Sequence, residues 1–522
     1  MLDSSRLTTL ADIVRNGAKD WGDKPALIMD DEVVSYAQLD HRSNKVANGL
    51  LDLGLRPGDR VGYLAKNDIA YFEVLFGAFK AASVVVGVNW RLAGPEIAYI
   101  LNDSKTRVLF VGPEFEAIVD EIRDDIPGVE TIIALDGPRA SWPGFEAWRF
   151  VQRDGDPLLP GFGSDDVIQL YTSGTTGHPK GVQLTNDNYF ALLDSGADAG
   201  YANWEPGTVN FVCMPVFHVA GANIGLMGIA QGCANVILRD VDPGVILDLI
   251  ERHRINKMFI VPAVINFLLL HPGSKTRDLS SLDMIIYGAS PIAEDTIKQA
   301  KEVFGCDFVQ LYGMTETCGA GTYLPPEDHE PARNRLRSCG ITAPGVEVKL
   351  VDGQGNTVPP GEVGEILIKG GMVMKGYWNN PDATAKSVEE GWMRTGDAGY
   401  LDEAGYLFIY DRVKDMIVSG GENIYPAEVE NALFAHPAVA DAAVIGVPDE
   451  KWGEAVKAII VLKDGMSATE EEIRAFARTR IAGYKVPKSV DFADMLPRNP
   501  SGKVLRRELR APFWTDADRQ VN

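Results

Sequence analysis

From residue 60 onward, short apolar runs alternate with amphipathic stretches. RVGYLA (60–65) reads as a strand, AYFEVLFGAFKAA (70–82) as a helix and SVVVGV (83–88) as a strand. A helix over PEIAYILND (95–103) and a strand at RVLFVG (107–112) continue the series. Strands alternating with amphipathic segments predict an α/β layer with a mostly parallel sheet. The pattern resumes with a strand at VNFVCMP (209–215), a helix at VAGANIGLMGIAQG (219–232), a strand at ANVILR (234–239) and a helix at VILDLIERH (245–253). KMFIV (257–261), LDMIIYG (282–288) and DFVQLYG (307–313) are further strands, and together these predict a second α/β layer. Ahead of both, residues 8–56 read as helical, with a hairpin in ALIMDDEVVSYAQL (26–39) turning at Asp30-Asp31.

The texture changes near residue 340. EVKLVD, EVGEILIKG and YLFIYD are short runs between glycine-rich turns, which predict a small β-barrel or meander. After residue 414 a compact α+β segment follows, with a helix over TEEEIRAFARTRIA (469–482). The fold class read from this pattern is α/β. A large N-terminal domain (1–413) has two α/β layers and a small β-barrel, and a small α+β C-terminal domain (414–522) follows. DRVKD (411–415) has few apolar residues and reads either as a hinge between them or as a charged loop within one domain.

A chain of 522 residues is too long for one ordinary core, which agrees with two or more domains. The net charge of −23 argues against nucleic acid or an anionic membrane as a general partner. Local sites for anions remain compatible with it. The five cysteines (Cys213, Cys233, Cys306, Cys318, Cys339) form no CxxC pair, so reduced thiols are expected rather than a zinc site or a disulfide framework. The N-terminus, MLDSSRLTTLADIV, lacks the apolar core of a signal peptide. The longest apolar run, MFIVPAVINFLLL (258–270), falls short of the roughly 20 residues that span a bilayer and reads as a strand running into a helix. No integral membrane segment and a cytoplasmic location are therefore expected.

Residues 171–181, YTSGTTGHPKG, gather the hydroxyls Ser173, Thr175 and Thr176, the glycines Gly174, Gly177 and Gly181, and Lys180. Glycine turns backbone N–H groups toward a ligand, hydroxyls add donors and lysine adds charge, so the stretch reads as an anion cradle for phosphates. A polar surface turn is the other reading of the same composition. It is not the common P-loop, because Pro179 precedes Lys180 and Gly181 follows it where a magnesium-binding hydroxyl belongs. The stretch closely resembles the phosphate loop of the adenylate-forming superfamily, which comprises acyl-CoA synthetases, luciferases and peptide-synthetase adenylation domains.

Three further stretches carry the same resemblance, in family order: LYGMTET (311–317), WMRTGDAGYLDEAGYLFIYDRVKDMIVSGGENIYPAEVE (392–430) and PRNPSGKVLRREL (497–509). The resemblance spans nearly the whole chain. Without the family motif Glu316 reads as a solvated acid and Lys503 as a surface lysine. The resemblance implies instead that Glu316 binds Mg²⁺ and that Thr315 contacts the α-phosphate. Thr172, Ser173, Gly174, Thr175, Thr176, Gly177 and Lys180 would hold the phosphates of ATP. Gly288, Ala289 and Ser290 of YGASP, with Tyr312 and Gly313, would flank adenine and the acyl group. Asp397 would accept from the ribose hydroxyls, and Arg412 would donate to ribose or phosphate. Lys414 would be the pivot of the C-terminal domain, and Gly420 and Gly421 would line the pantetheine tunnel of coenzyme A. Lys503 would meet the acyl carboxylate and α-phosphate, where negative charge accumulates. His218 in MPVFHVAG (214–221) would gate or line the acyl pocket, with a catalytic role as general base as the other reading.

The resemblance implies an ATP-dependent acyl-CoA ligase acting on a hydrophobic carboxylic acid, with ATP, Mg²⁺ and coenzyme A as cofactors. A stand-alone adenylating enzyme with another acceptor is the alternative. A peptide-synthetase adenylation domain would need an acid near Phe217-His218 to hold an ammonium, and VFHVA (216–220) has none. An oxygenating luciferase and a nucleotide-binding sensor are the other rivals. The acid itself is not legible, and a homodimer is left open.

Overall fold

The structure is a computed structural model. It describes residues 6–514 except 140, 173–178, 291, 413, 414, 416, 420, 421, 425, 450, 451, 482 and 499–503. The chain divides into two compact units, residues 1–348 with 368–393 and residues 349–367 with 394–522.

The first unit is built on two sheets, and its strands lie where the apolar runs predict them. Among the described residues one sheet has seven strands, in the order Gly376–Tyr377, Lys180–Thr185, Asp166–Thr172, Val84–Gly87, Arg60–Leu64, Thr106–Val111 and Thr131–Ala134. From Asp166–Thr172 to Thr131–Ala134 all neighbours are parallel, and the two remaining joins are antiparallel. Central parallel strands are covered on both faces, so they read as continuous apolar runs rather than alternations. Arg60–Leu64 and Val84–Gly87 are buried at every position.

The other sheet has nine strands among the described residues. Its parallel centre runs Asp307–Tyr312, Met284–Gly288, Lys257–Ile260, Val209–Val212, Ala234–Ile237 and Pro25–Met29. The hairpin at one edge closes through Asp30, whose φ of 51° supplies the left-handed turn, and pairs Met29 with Glu32. The strand expected over 209–215 stops at Val212. Pro215 has no N–H for a ladder, and its carbonyl oxygen accepts from the peptide N–H of His218 as the chain turns into the helix Val219–Ala230.

In the second unit, Val439–Asp449 and Gly453–Leu462 form a long antiparallel pair, with Ser489–Phe492 added in parallel. The helices Pro426–Phe434 and Glu470–Arg478 cover it, burying Val429, Leu433 and Ile473 against Val444, Val456 and Ile460. The second helix starts in a capping box, Thr469 with Glu472, and carries three acids in its first turn, as its dipole favours. Leu407–Arg412 pairs antiparallel with Trp392–Leu401. Arg506 and Arg510 both reach Asp415, at 3.5 and 3.1 Å. The fold is α/β with a smaller α+β unit.

Candidate active site

Asp166–Thr172 leads into the glycine-rich stretch and Lys180–Thr185 leads out of it. They pair antiparallel with Thr172 opposite Lys180, which fixes both ends of the stretch. Ser173, Gly174, Thr175, Thr176 and Gly177 lie outside the described residues. Lys180 is the first residue of a strand rather than a loop residue. The incoming strand is anchored by Tyr171, whose hydroxyl donates to Asp103 Oδ2 (2.6 Å) and accepts from Gln169 Nε2 (3.0 Å).

Asp307–Tyr312 ends beside this pair. At Gly313 the chain passes so close to the next turn that a Cβ would lie 2.6 Å from the Ala320 nitrogen. Thr315–Thr317 then make one 3₁₀ turn with Glu316 at its centre. Glu316 is 5% exposed. Its Oε1 accepts from the Tyr377 hydroxyl at 2.9 Å and from Thr172 Oγ1 at 3.3 Å. Among the described residues Oε2 accepts nothing. A buried carboxylate needs partners, and here both fall on one oxygen, which leaves the other for a cation. Mg²⁺ is commonly held by one or two carboxylates together with phosphate oxygens and water. No group of three or more His, Cys, Asp or Glu placed to hold a metal ion by itself occurs among the described residues. A single carboxylate with ligand oxygens is thus the donor set that fits. Burial first, and then the charge of Glu316, push the Tyr377 phenol up, so it stays protonated and donates. The Lys180 ammonium stands 4.9 Å from the centre of the Tyr377 ring, a cation–π distance.

Met284–Gly288 is the neighbouring strand. Gly288 pairs with Leu311, whose carbonyl oxygen would be 2.3 Å from any Cβ at 288. Ala289 follows in the left-handed region with φ 67°, which a residue with a Cβ seldom adopts, and Ser290 is half-buried. His218 occupies the N-cap position of Val219–Ala230, with its ring 4.4 Å from that of Phe217. Asn223, on the same helix, donates from Nδ2 to the Cys318 carbonyl oxygen (2.8 Å), joining this helix to the turn that carries Glu316. Cys318 is fully buried and burial pushes its thiol up, so it serves packing.

Sequence reasoning missed Trp90, Arg91 and Tyr377. Trp90 stands edge-on to Phe217 at 5.8 Å, and the Arg91 guanidinium lies 4.5 Å from the Trp90 ring. The available signal for Trp90 and Arg91 was their position just beyond the carboxyl end of the buried parallel strand Val84–Gly87, where α/β folds bind ligands; Tyr377 carried none.

In the second unit Asp397 is half-buried and its N–H donates to Thr395 Oγ1 (3.1 Å), which itself donates to the Ile366 carbonyl oxygen (2.8 Å). Asp397 pairs with Arg412 across the ladder. Lys414, Gly420, Gly421 and Lys503 lie outside the described residues. The structure therefore brings Thr172, Lys180 and Glu316 together, with Thr315 adjoining. It sets Gly288 and Tyr312 at the ends of neighbouring strands, and Asp397 opposite Arg412.

Residues 14–378 match the family described as AMP-binding enzyme, and residues 428–503 match the AMP-binding enzyme C-terminal domain. The chain is 41% identical over 524 residues to the fatty acid–[acyl-carrier-protein] ligase ScoC of Streptomyces coeruleorubidus, covering 100% of this chain and 99% of the relative. It is 40% identical over 483 residues to a feruloyl-CoA synthase of Amycolatopsis sp., covering 92% and 94%. Among solved structures, ATP-bound MatB from Rhodopseudomonas palustris superposes with a TM-score of 0.89 at 29% identity, covering 97% of this chain and 99% of that one.

Proposed function

We propose that this chain, which belongs to the AMP-binding enzyme family and is an adenylate-forming ligase, joins a hydrophobic carboxylic acid to the thiol of coenzyme A. The acid is first activated by ATP as an acyl-adenylate, with release of pyrophosphate, and the thiol then displaces AMP. The observation that carries this reading is the Glu316 carboxylate, buried and held through one oxygen beside Lys180. The reacting carboxylate is already anionic, so the work is positioning and charge neutralisation rather than proton transfer.

Thr175, Thr176 and Lys180 hold the β- and γ-phosphates, and Thr315 contacts the α-phosphate. Glu316 holds Mg²⁺, which when bound neutralises charge on the phosphate oxygens. Asp397 accepts from the ribose hydroxyls, Arg412 donates to ribose or phosphate, and Lys503 meets the charge that develops as pyrophosphate leaves. His218 and Phe217 line the mouth of the acyl pocket. In the second step the C-terminal domain turns about Lys414, which withdraws Lys503 and brings the Gly420-Gly421 loop to the thiol arm. The free cysteines support a cytoplasmic setting.

The likeness to ScoC over the whole chain favours a second reading, transfer to the phosphopantetheine of an acyl carrier protein. Acid-dependent ATP–pyrophosphate exchange over a panel of fatty, aryl and arylalkanoic acids, followed by AMP release with coenzyme A or a holo-carrier protein, separates the two. Turnover with coenzyme A is the expected result, and turnover with the carrier alone selects the second reading. Exchange driven by free α-amino acids in preference to hydrophobic acids would overturn both, since a buried ammonium without an acid partner is costly.

A further inference from the structure

Tyr377 touches both halves of the phosphate end of the site. Its strand, Gly376–Tyr377, lies along the outer edge of Lys180–Thr185, with Tyr377 opposite Val182. Lys180 is two residues from Val182, so it shares a face with Tyr377 on the diagonal, the geometry in which a long side chain reaches a neighbouring ring. The ammonium accordingly sits 4.9 Å from the ring centre. The hydroxyl continues past it to Glu316 Oε1 at 2.9 Å.

The segment carrying Tyr377 is pinned on both sides. Asn188 Nδ2 donates to the carbonyl oxygens of Gly371 and Val373, each at 2.8 Å. The Met374 N–H donates to the Glu316 carbonyl oxygen (2.8 Å) and the Trp378 N–H to that of Gly181 (2.7 Å). Tyr377 therefore has a fixed position from which to hold a carboxylate.

We propose that Tyr377 is a positioning residue for the metal-binding carboxylate. Its hydroxyl, helped by Thr172, locks Glu316 with Oε1 turned inward and Oε2 presented to Mg²⁺, and its ring seats Lys180 against the phosphates. The proposal rests on the reading that Glu316 is the metal ligand. Partners that orient a metal ligand typically govern about 10–100-fold in metal affinity. Removing the hydroxyl should act on the metal and spare the nucleotide, whereas removing the ring should act on both.

The test titrates ATP calorimetrically into the full chain without acid or acceptor, at graded Mg²⁺ and in EDTA. Tyr377→Phe should bind ATP in EDTA like the wild type and need about tenfold more Mg²⁺ for half-maximal tightening. Tyr377→Leu should lose affinity in EDTA as well, and Thr172→Val should shift the Mg²⁺ requirement less than Tyr377→Phe. Glu316→Gln should abolish the Mg²⁺ effect, and adding Tyr377→Phe to it should change nothing further. A wild-type Mg²⁺ requirement in Tyr377→Phe, with the effect lost in Glu316→Gln, overturns the positioning role alone. A retained effect in Glu316→Gln overturns the metal assignment itself. Should Tyr377→Phe fail to fold, difluorotyrosine at 377 changes donor strength at nearly constant shape, and an unmoved Mg²⁺ requirement would equally sink the proposal.

Discussion

His329 is fully buried, and its two ring nitrogens have different tasks. Nδ1 donates to the Pro325 carbonyl oxygen at 2.9 Å and Nε2 accepts from the Tyr287 hydroxyl at 3.0 Å. A proton on Nε2 would remove that acceptor inside the core. Burial accordingly pushes the imidazole down, to about 4. Between that value and the usual 6.5 the unfolded chain binds the proton and the folded chain does not. Stability from this group is thus complete above about pH 6.5 and falls as pH drops toward 4, by roughly 2 kcal/mol at pH 5. Urea unfolding at pH 7.5, 6 and 5 should show the loss in wild type and a flatter profile in His329→Gln. Parallel profiles would refute it. Lys503 carries a prediction of another kind. Lys503→Ala should slow acid-dependent pyrophosphate exchange by about 10²–10³-fold, as for loss of one preorganised electrostatic contact, and largely spare thioester formation from synthetic acyl-adenylate. Equal damage to both steps would remove the role. Lys503 stands out in the sequence because the residues PSGK that end at it match a family pattern. Nothing beside His329 in the sequence indicates that it is buried, since Pro325 and Tyr287 reach it only through the fold.

Helices Tyr36–Asp52 and Ile69–Lys80 pack against each other and show how an element can be predicted without its neighbour. Ile69–Lys80 is buried at every position, including its two charges. Glu73 lies between Arg42 (3.0 Å) and Arg149, and Lys80 meets Asp40 and Asn44, both at 2.6 Å. Burial raises the Glu73 carboxyl despite the two guanidiniums. The helices approach at Gly77, where a Cβ would lie 2.4 Å from Val46 Cγ1. Gly77→Ala should therefore destabilise by about 1–3 kcal/mol, as overpacking does. Val46→Ala in the same chain should recover part of that loss. Additive losses in the double variant, measured by denaturant midpoint, would show that the two residues do not compete for the space. The amphipathic pattern over residues 70–82 predicts the helix. It gives no sign that Glu73 and Lys80 are buried, because their partners come from other elements, far along the chain for Arg149.

At the scale of the whole molecule the chain is two compact units. Lys503 and Gly421 both belong to residues 394–522, and the proposed reaction needs each of them at the acyl carbon in a different step. One rigid arrangement cannot easily offer both, and a hinge of a few residues can. Proline at 414 would fix φ near −65° and restrict Val413 as well. Lys414→Pro should keep acid-dependent pyrophosphate exchange and lose thioester formation. Gly421→Trp should give the same pattern by filling the tunnel. Wild-type thioester formation by folded Lys414→Pro, started from synthetic acyl-adenylate, would move the pivot elsewhere.

The sequence by itself determined the alternation of strands and helices, the family and the order of its motifs. These are local properties: an apolar run reports the burial of its own residues, and a motif carries its chemistry within a dozen positions. Only the tertiary structure decided which edges meet. It set Pro25–Met29 beside Ala234–Ile237, and Gly376–Tyr377 beside the strand that Lys180 begins. A strand edge presents the same N–H and C=O groups whatever its sequence, so pairing depends on which edges the rest of the chain leaves open. Glu316 could be named from its motif. The tyrosine that holds it comes 61 residues later, by way of a pairing that no local pattern announces.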